Sequence, residues 1–233
     1  MINHHPKIDL LIQHVNGELP ASISAGIKIH SDLCTKCNNQ IIELTKHAAK
    51  TCLGSQELDS QEFAAESFAA QDHDEEYNFD AQSMINNITE MQAETELNID
   101  ETPLSVTFRG VEYDLPNVMK HMSLGKPAQI GKLSRSRILL DEGHIHSSLL
   151  RIEAGGSIPE HTHKGYEITL LLEGSFKDDM GEYVAGDFIV LDGKHQHQPM
   201  SELGCLCYTV VSDSLHFTQG INKLLNPIGS FIY

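Results

Sequence analysis

Two groups of residues in this 233-residue sequence combine metal-binding side chains at spacings that a folded backbone can close. The first is His30-x3-Cys34-x2-Cys37. In a helix, residues i and i+4 stack on one face, and a cysteine at the helix exit can turn back. One imidazole and two thiolates then converge on a tetrahedral, zinc-type site. The fourth corner calls for another histidine, and the adjacent His4 and His5 near the N-terminus come first, with His14 a third option. The pair Cys34 and Cys37 could instead be two small packed residues or a redox couple. A redox Cys-x2-Cys normally follows a strand in a βαβ setting, whereas this one lies among helical patterns.

The second group is Gly155-x5-His161-x-His163-x3-Glu167-x6-Gly174. It reads as a strand, a tight turn and a second strand, because β-branched and leucine positions (Ile168, Thr169, Leu170, Leu171, Leu172) follow the glutamate. His161 and His163 leave the same face of an extended strand, and Glu167 returns on its neighbour. Two neutral imidazoles and a carboxylate suit Zn, Fe(II), Mn or Ni, and His195 or His197 can supply a fourth ligand. Isolated surface histidines are the plainer alternative, but they do not explain three ligands bracketed by glycines.

The elements that must position these groups differ in kind. Residues 6–50 carry helical patterns: Pro6 opens a first helix with Ile8, Leu11, Ile12 and Val15 on one stripe and Gly17 at its end. Pro20 opens a second, where Ile23, Ile27 and His30 share a face, and Ile41, Leu44 and Ala48 mark a third. A bundle of about 45 residues buries little core, so a metal clamp is a sensible stabiliser. No lysine or arginine occurs between Lys50 and Arg109, and acidic residues crowd positions 53–80, which read as a flexible acidic segment. Ala81, Met84, Ile85, Ile88 and Met91 then predict an amphipathic helix over 81–93. From Val106 to Tyr233 short β runs alternate with turn signals such as Gly155-Gly156 and Asp192-Gly193, the pattern of a small antiparallel barrel or jelly roll. The fold class is therefore α + β in two domains: a helical domain over 1–95, a linker over 96–105 and a β-barrel domain over 106–233.

Composition narrows the function classes. Asp and Glu number 33 against 16 Lys and Arg, a net charge of −17 that repels phosphate backbones and attracts basic protein surfaces, so direct nucleic-acid binding is disfavoured. No run approaches the roughly 18 apolar residues of a membrane span, and the start MINHHPKIDLL lacks signal-peptide features. A cytoplasmic protein with no membrane contact is expected. Among five cysteines, Cys34 with Cys37 and Cys205 with Cys207 form close pairs, and in a reducing compartment this favours metal or thiol chemistry.

The downstream group resembles the first motif of the cupin superfamily, matched by Gly155, His161, His163, Glu167 and Gly174. The second cupin motif is partly kept: Gly186 and His197 occupy its glycine and histidine slots, while Asp192, Lys194 and Ser201 replace its proline, second glycine and asparagine. This makes His197 the fourth ligand by resemblance, with His195 in reserve. With the upstream motif, the whole chain resembles the ChrR family of zinc-dependent anti-sigma factors. That family pairs His-x3-Cys-x2-Cys with a histidine about 25 positions earlier, the place of His5, with His4 its neighbour. The resemblance implies zinc at His5, His30, Cys34 and Cys37, and zinc or another divalent transition metal at His161, His163, Glu167 and His197. It further implies that the helical domain inhibits an extracytoplasmic-function sigma factor, and that the cupin domain triggers release on singlet oxygen or related oxidative stress.

Two other readings compete. A metal-dependent cupin enzyme, a dioxygenase or an isomerase with an accessory zinc-binding domain, would use the downstream metal to polarise a carbonyl. The sequence offers no general base placed apart from the ligands, and an enzyme leaves the upstream cluster unexplained. A direct transcription factor is disfavoured by the acidity.

Overall fold

A computed structural model describes residues 1–54, 80–91, 104–213 and 215–217. Three helices come first: α1 (Ile8–Asn16), α2 (Ala21–Leu33) and α3 (Thr35–Leu53). Gly17 ends α1 in a left-handed conformation (φ 71°), where the N–H groups of Gly17 and Glu18 donate to His14 and Gln13 carbonyls. Cys34 breaks the path between α2 and α3 with an extended backbone (φ −120°, ψ 99°), while its N–H still donates to the His30 carbonyl at 2.8 Å. That single extended residue lets α3 start on a new axis and folds Cys37 back toward His30.

The strands are β1 (Ser105–Phe108), β2 (Val111–Asp114), β3 (Ala128–Ile130), β4 (Leu133–Ile138), β5 (His146–Ile152), β6 (Gly156–Ser157) and β7 (His161–His163). They continue with β8 (Tyr166–Asp178), β9 (Gly181–Val184), β10 (Phe188–Asp192), β11 (Gln196–His197), β12 (Met200–Ser201), β13 (Cys205–Val211) and β14 (Leu215–Phe217). All pairings are antiparallel. The main sheet runs β3-β4-β5-β13-β8-β12-β6, with β9 and β10 also on β8, and a smaller sheet runs β11-β7-β14. Together they form a curled antiparallel half-barrel, in line with the small antiparallel barrel that the turn-punctuated β runs predict and the cupin fold that the motif resemblance implies.

Every residue of β13 is buried, because the strand is covered on both faces. Leu206, Tyr208 and Val210 join the apolar cluster that contains Ile23, Ile27 and Ile29 of α2. Cys205 and Cys207 join the cluster inside the barrel with Leu150, Ile152 and Phe176. On the helix side, Tyr208 donates its hydroxyl to the Ser22 carbonyl at 2.7 Å, and a Cβ on Gly26 would lie 3.3 Å from the Tyr208 ring. Small residues on α2 thus admit the barrel's largest buried side chain.

Among the described residues, 1–54 pack with 104–213 in one compact unit, and α4 belongs to another. One division falls inside the 96–105 linker drawn from composition, a second follows Gly54, and the helices share their core with the barrel. In the second unit, α4 spans Ala81–Glu90, and Asp80 caps it by accepting from the Ser83 N–H at 2.9 Å. Its apolar Met84, Ile85 and Ile88 are exposed. The acidic segment 53–80 lies outside the described residues from 55 to 79, and the linker 96–105 does so through residue 103. No helix among the described residues is long and apolar enough to cross a membrane.

Two candidate metal centres

His5, His30, Cys34 and Cys37 come together at the base of the helices, and their ligand atoms all lie within 4.8 Å of one another. His5 Nδ1 is 3.4 Å from His30 Nε2, 3.4 Å from Cys34 Sγ and 3.5 Å from Cys37 Sγ. Four N and S ligands around a tetrahedral zinc are separated by about 3.3–3.8 Å, given Zn–N and Zn–S bonds of about 2.0 and 2.3 Å. The donor set and the spacing both fit. His30 Nδ1 donates to the Gly186 carbonyl at 2.7 Å, which fixes the tautomer and leaves Nε2 as the free donor atom. Burial, then the neighbouring Cys34, pushes the Cys37 thiol up to about 11, and burial lowers His30. His4 turns away, its ring 4.8 Å from that of Tyr183, and neither it nor His14 joins the group.

The second group lies at one end of the barrel, and its ligand atoms also fall within 4.8 Å. Strand register explains it. On the β7–β11 ladder His197 stands opposite His161, and His163 lies two residues along on the same face. Thr162, between them, points the other way and donates to the carbonyls of Gly193 and His195. His197 Nε2 is 3.0 Å from His161 Nε2 and 3.4 Å from His163 Nε2, while Glu167 Oε2 is 2.7 Å from His163 Nε2. Three imidazoles and one carboxylate at these separations suit several divalent transition metals and do not select one.

Hydrogen bonds at the outer nitrogens orient this group too. His161 Nδ1 donates to the Pro159 carbonyl at 2.8 Å and His197 Nδ1 to Asp178 Oδ2 at 3.1 Å, so both present Nε2 inward. Thr169 donates to Glu167 Oε1 at 2.7 Å. Burial, and then His197, drives His161 down to about 3. Burial alone would raise Glu167, yet the adjacent His163 outweighs it and holds the carboxyl well below its ordinary range. His195 is exposed and pairs with Asp192 instead. Beside the cluster is a cavity of about 20 Å³, lined by Ile158, Phe176, Leu191, Cys207 and Thr209. It holds about one water-sized molecule. Cys207, which lines it, lies 4.0 Å from Cys205 between sulfurs.

Asp178, Tyr183 and the Gly186-Asp187 turn are the supporting residues that motif reading misses. Gly186 carries a signal as the glycine slot of the second cupin motif; the two aspartates carry none in so acidic a chain.

The strands form a cupin-like curled antiparallel sheet that brings three histidines and a glutamate together, and the helices carry a second His/Cys cluster. Residues 134–214 match the family described as the ChrR cupin-like domain. The chain is 36% identical over 95 residues to the anti-sigma-E factor ChrR of Cereibacter sphaeroides, a match covering 40% of this chain and 45% of that relative's length. Its fold is similar to a chain of the crystal structure of Rhodobacter sphaeroides SigE in complex with the anti-sigma ChrR. The TM-score is 0.60 at 20% identity, covering 91% of this chain and all of that one. An RmlC-like cupin protein from Ralstonia eutropha JMP134 is more distant, with a TM-score of 0.37 at 18% identity, covering 43% of this chain and 69% of that one. The resemblance to the ChrR family carried by the two motifs holds.

Proposed function

We propose that this chain is a cytoplasmic anti-sigma factor: it binds and inhibits an extracytoplasmic-function sigma factor and releases it under oxidative stress, singlet oxygen included. The sequence likeness to anti-sigma-E factor ChrR carries the reading, since that protein's name states the activity. Residues 1–95 act as the inhibitory part and 106–233 as the sensing part. His5, His30, Cys34 and Cys37 hold zinc, which supplies a cross-link between the N-terminal segment, α2 and α3. His161, His163, Glu167 and His197 hold zinc or another divalent transition metal.

Geometry supports a docking role for the helices. An apolar groove of about 500 Å³ runs between α1 and α3, lined by Ile12, Val15, Leu44 and Ala48. A groove of this size with an apolar lining suits a helix of a partner, and the net charge of −17 favours a basic one. The His/Cys cluster joins the start of α3 to the segment before α1, and these two helices line the groove. The enzyme reading needs room for an organic substrate beside the barrel cluster, and the cavity there accepts about one water.

The test is co-purification of the tagged full chain from its native cytoplasm, identification of the bound protein, and elemental analysis of the same sample. A sigma factor at one-to-one ratio with two ions per chain is expected. Turnover of a small organic substrate by a sample lacking any sigma factor would replace this reading with the enzymatic one.

A further inference from the structure

The His/Cys cluster is built on helices, but much of what holds it in place belongs to the barrel. His30 donates to the Gly186 carbonyl from its outer nitrogen. Asp187, fully buried, follows directly. Its Oδ1 accepts from the backbone N–H groups of Asn3 at 2.7 Å and His4 at 2.9 Å, and its Oδ2 accepts from the Val184 N–H at 2.9 Å. The Phe188 N–H donates to the His4 carbonyl at 3.0 Å. Residues 3 and 4 are thereby laid along the start of β10, and the next residue, His5, is delivered to the cluster. Gly186 permits this approach. Its φ of 92° lies in the left-handed region, and a Cβ there would sit 2.5 Å from Ile2 Cδ1.

The same turn reaches the other cluster through β9, only four residues long. At the end of β8, just before β9, Asp178 accepts from the Met180 and Gly181 N–H groups and from His197 Nδ1. Tyr183, on β9, bonds to Asp178 through its hydroxyl and sets its ring against His4. The two carboxylates that flank this short strand therefore each bond toward one cluster.

We infer that Asp187 is a positioning residue for the N-terminal metal cluster, holding His5 in place through the backbone of Asn3 and His4, so that retention of that ion depends on the barrel turn at Gly186-Asp187. This rests on the proposed metal occupancy and is independent of what the helices bind. Groups that orient a metal-binding histidine typically contribute 10–100-fold to ion affinity. Loss of the carboxylate removes the two bonds that tie Asn3 and His4 to the barrel.

The experiment measures zinc release from the full chain to an excess of a chromophoric chelator, with total zinc determined beforehand. Wild type should carry two ions that leave in separable phases, the one abolished by Cys37→Ala being the N-terminal ion. Asp187→Ala should speed that phase by about 10–100-fold and leave the other unchanged. Asp187→Asn, which keeps one oxygen acceptor, should fall between. Asn3→Pro removes one donor to Asp187 from the other side without touching the barrel interior, and should speed the same phase alone. N-terminal release within twofold of wild type in Asp187→Ala and Asn3→Pro overturns the inference. So does equal acceleration of both phases in Asn3→Pro, which would mark a general structural role. Wild type that carries no N-terminal ion refutes the metal reading itself and is recognised before any variant is compared.

Discussion

If the groove between α1 and α3 receives the partner, Ile12 gives the cleanest perturbation. Its side chain is 40% exposed in the free chain, so a partner can still remove that fraction from water. Full burial of an isoleucine is worth about 1.5–3 kcal/mol, and 40% of that is about 0.6–1.2 kcal/mol. Ile12→Ala should therefore weaken the complex by about three- to eightfold. Ile12→Asp also places a carboxylate in the apolar contact, where desolvation costs several kcal/mol, so a loss of at least about 100-fold is expected. The free chain should tolerate both changes, since surface substitutions usually stay within about 0.5 kcal/mol. Binding of the full chain to the co-purified sigma factor, measured calorimetrically, gives the affinities, and thermal melts of each variant check the fold. Gln13→Asp, one residue on and exposed, adds the same charge outside the groove and should bind like wild type. A folded Ile12→Asp that binds within threefold of wild type refutes the groove as the docking surface.

Cys34→Ala and Cys37→Ala should each lose the N-terminal ion and abolish inhibition in a sigma-dependent transcription assay, because a four-ligand cross-link fails when one ligand goes; retained inhibition would show that the ion is dispensable. His163→Ala and Glu167→Ala should keep inhibition in a reporter strain yet fail to release on singlet oxygen, and a normal response would remove the barrel from the sensing role. Tyr208→Phe deletes the hydroxyl on the Ser22 carbonyl and should cost about 0.5–1.5 kcal/mol in denaturant unfolding, with no change leaving that bond without weight. The metal-free chain should be acid-sensitive. His161 is driven from 6.5 to about 3, so the unfolded chain binds more protons between those values. Stability is full above pH 6.5 and falls as pH drops through that window, and the lowered Glu167 acts in the same direction. Melting temperatures followed by circular dichroism from pH 7 to 4.5 should fall and should flatten in His161→Gln; a rise would reverse the sign of the reasoning.

What the sequence makes legible is set by which physical signals are local. His161, His163 and Glu167 are readable because a strand has period two and the intervening turn is short. His30 with Cys34 is readable because a helix turns in about four residues. The choice between His4 and His5 is not, since adjacent residues differ only in which way the backbone faces, and Asp187 fixes that from 183 positions away. The stripe of Ile23, Ile27 and His30 marks one buried face of α2, but the helix is buried at Ser22, Ala25 and Gly26 as well. Small residues give no hydrophobic periodicity, so the face that meets the barrel leaves no trace in the pattern. For that reason composition separates helices from barrel, whereas packing joins them.

The pairing of Ser22 with Tyr208 also has a temporal meaning, because 186 positions separate the two partners. A ribosome adding about 5–20 residues per second completes that stretch in about 10–40 s. During that interval α2 has emerged without the strand that covers its small-residue face, and the Asn3 and His4 amides have no carboxylate to meet. Most of the contacts that order the first 54 residues against β10 and β13 are thus among the last to become available, and closing such long loops slows folding relative to local helix formation. The helical segment is made early and matures late, and nascent chains are exposed to zinc, to chaperones and to any partner before the barrel can close over them.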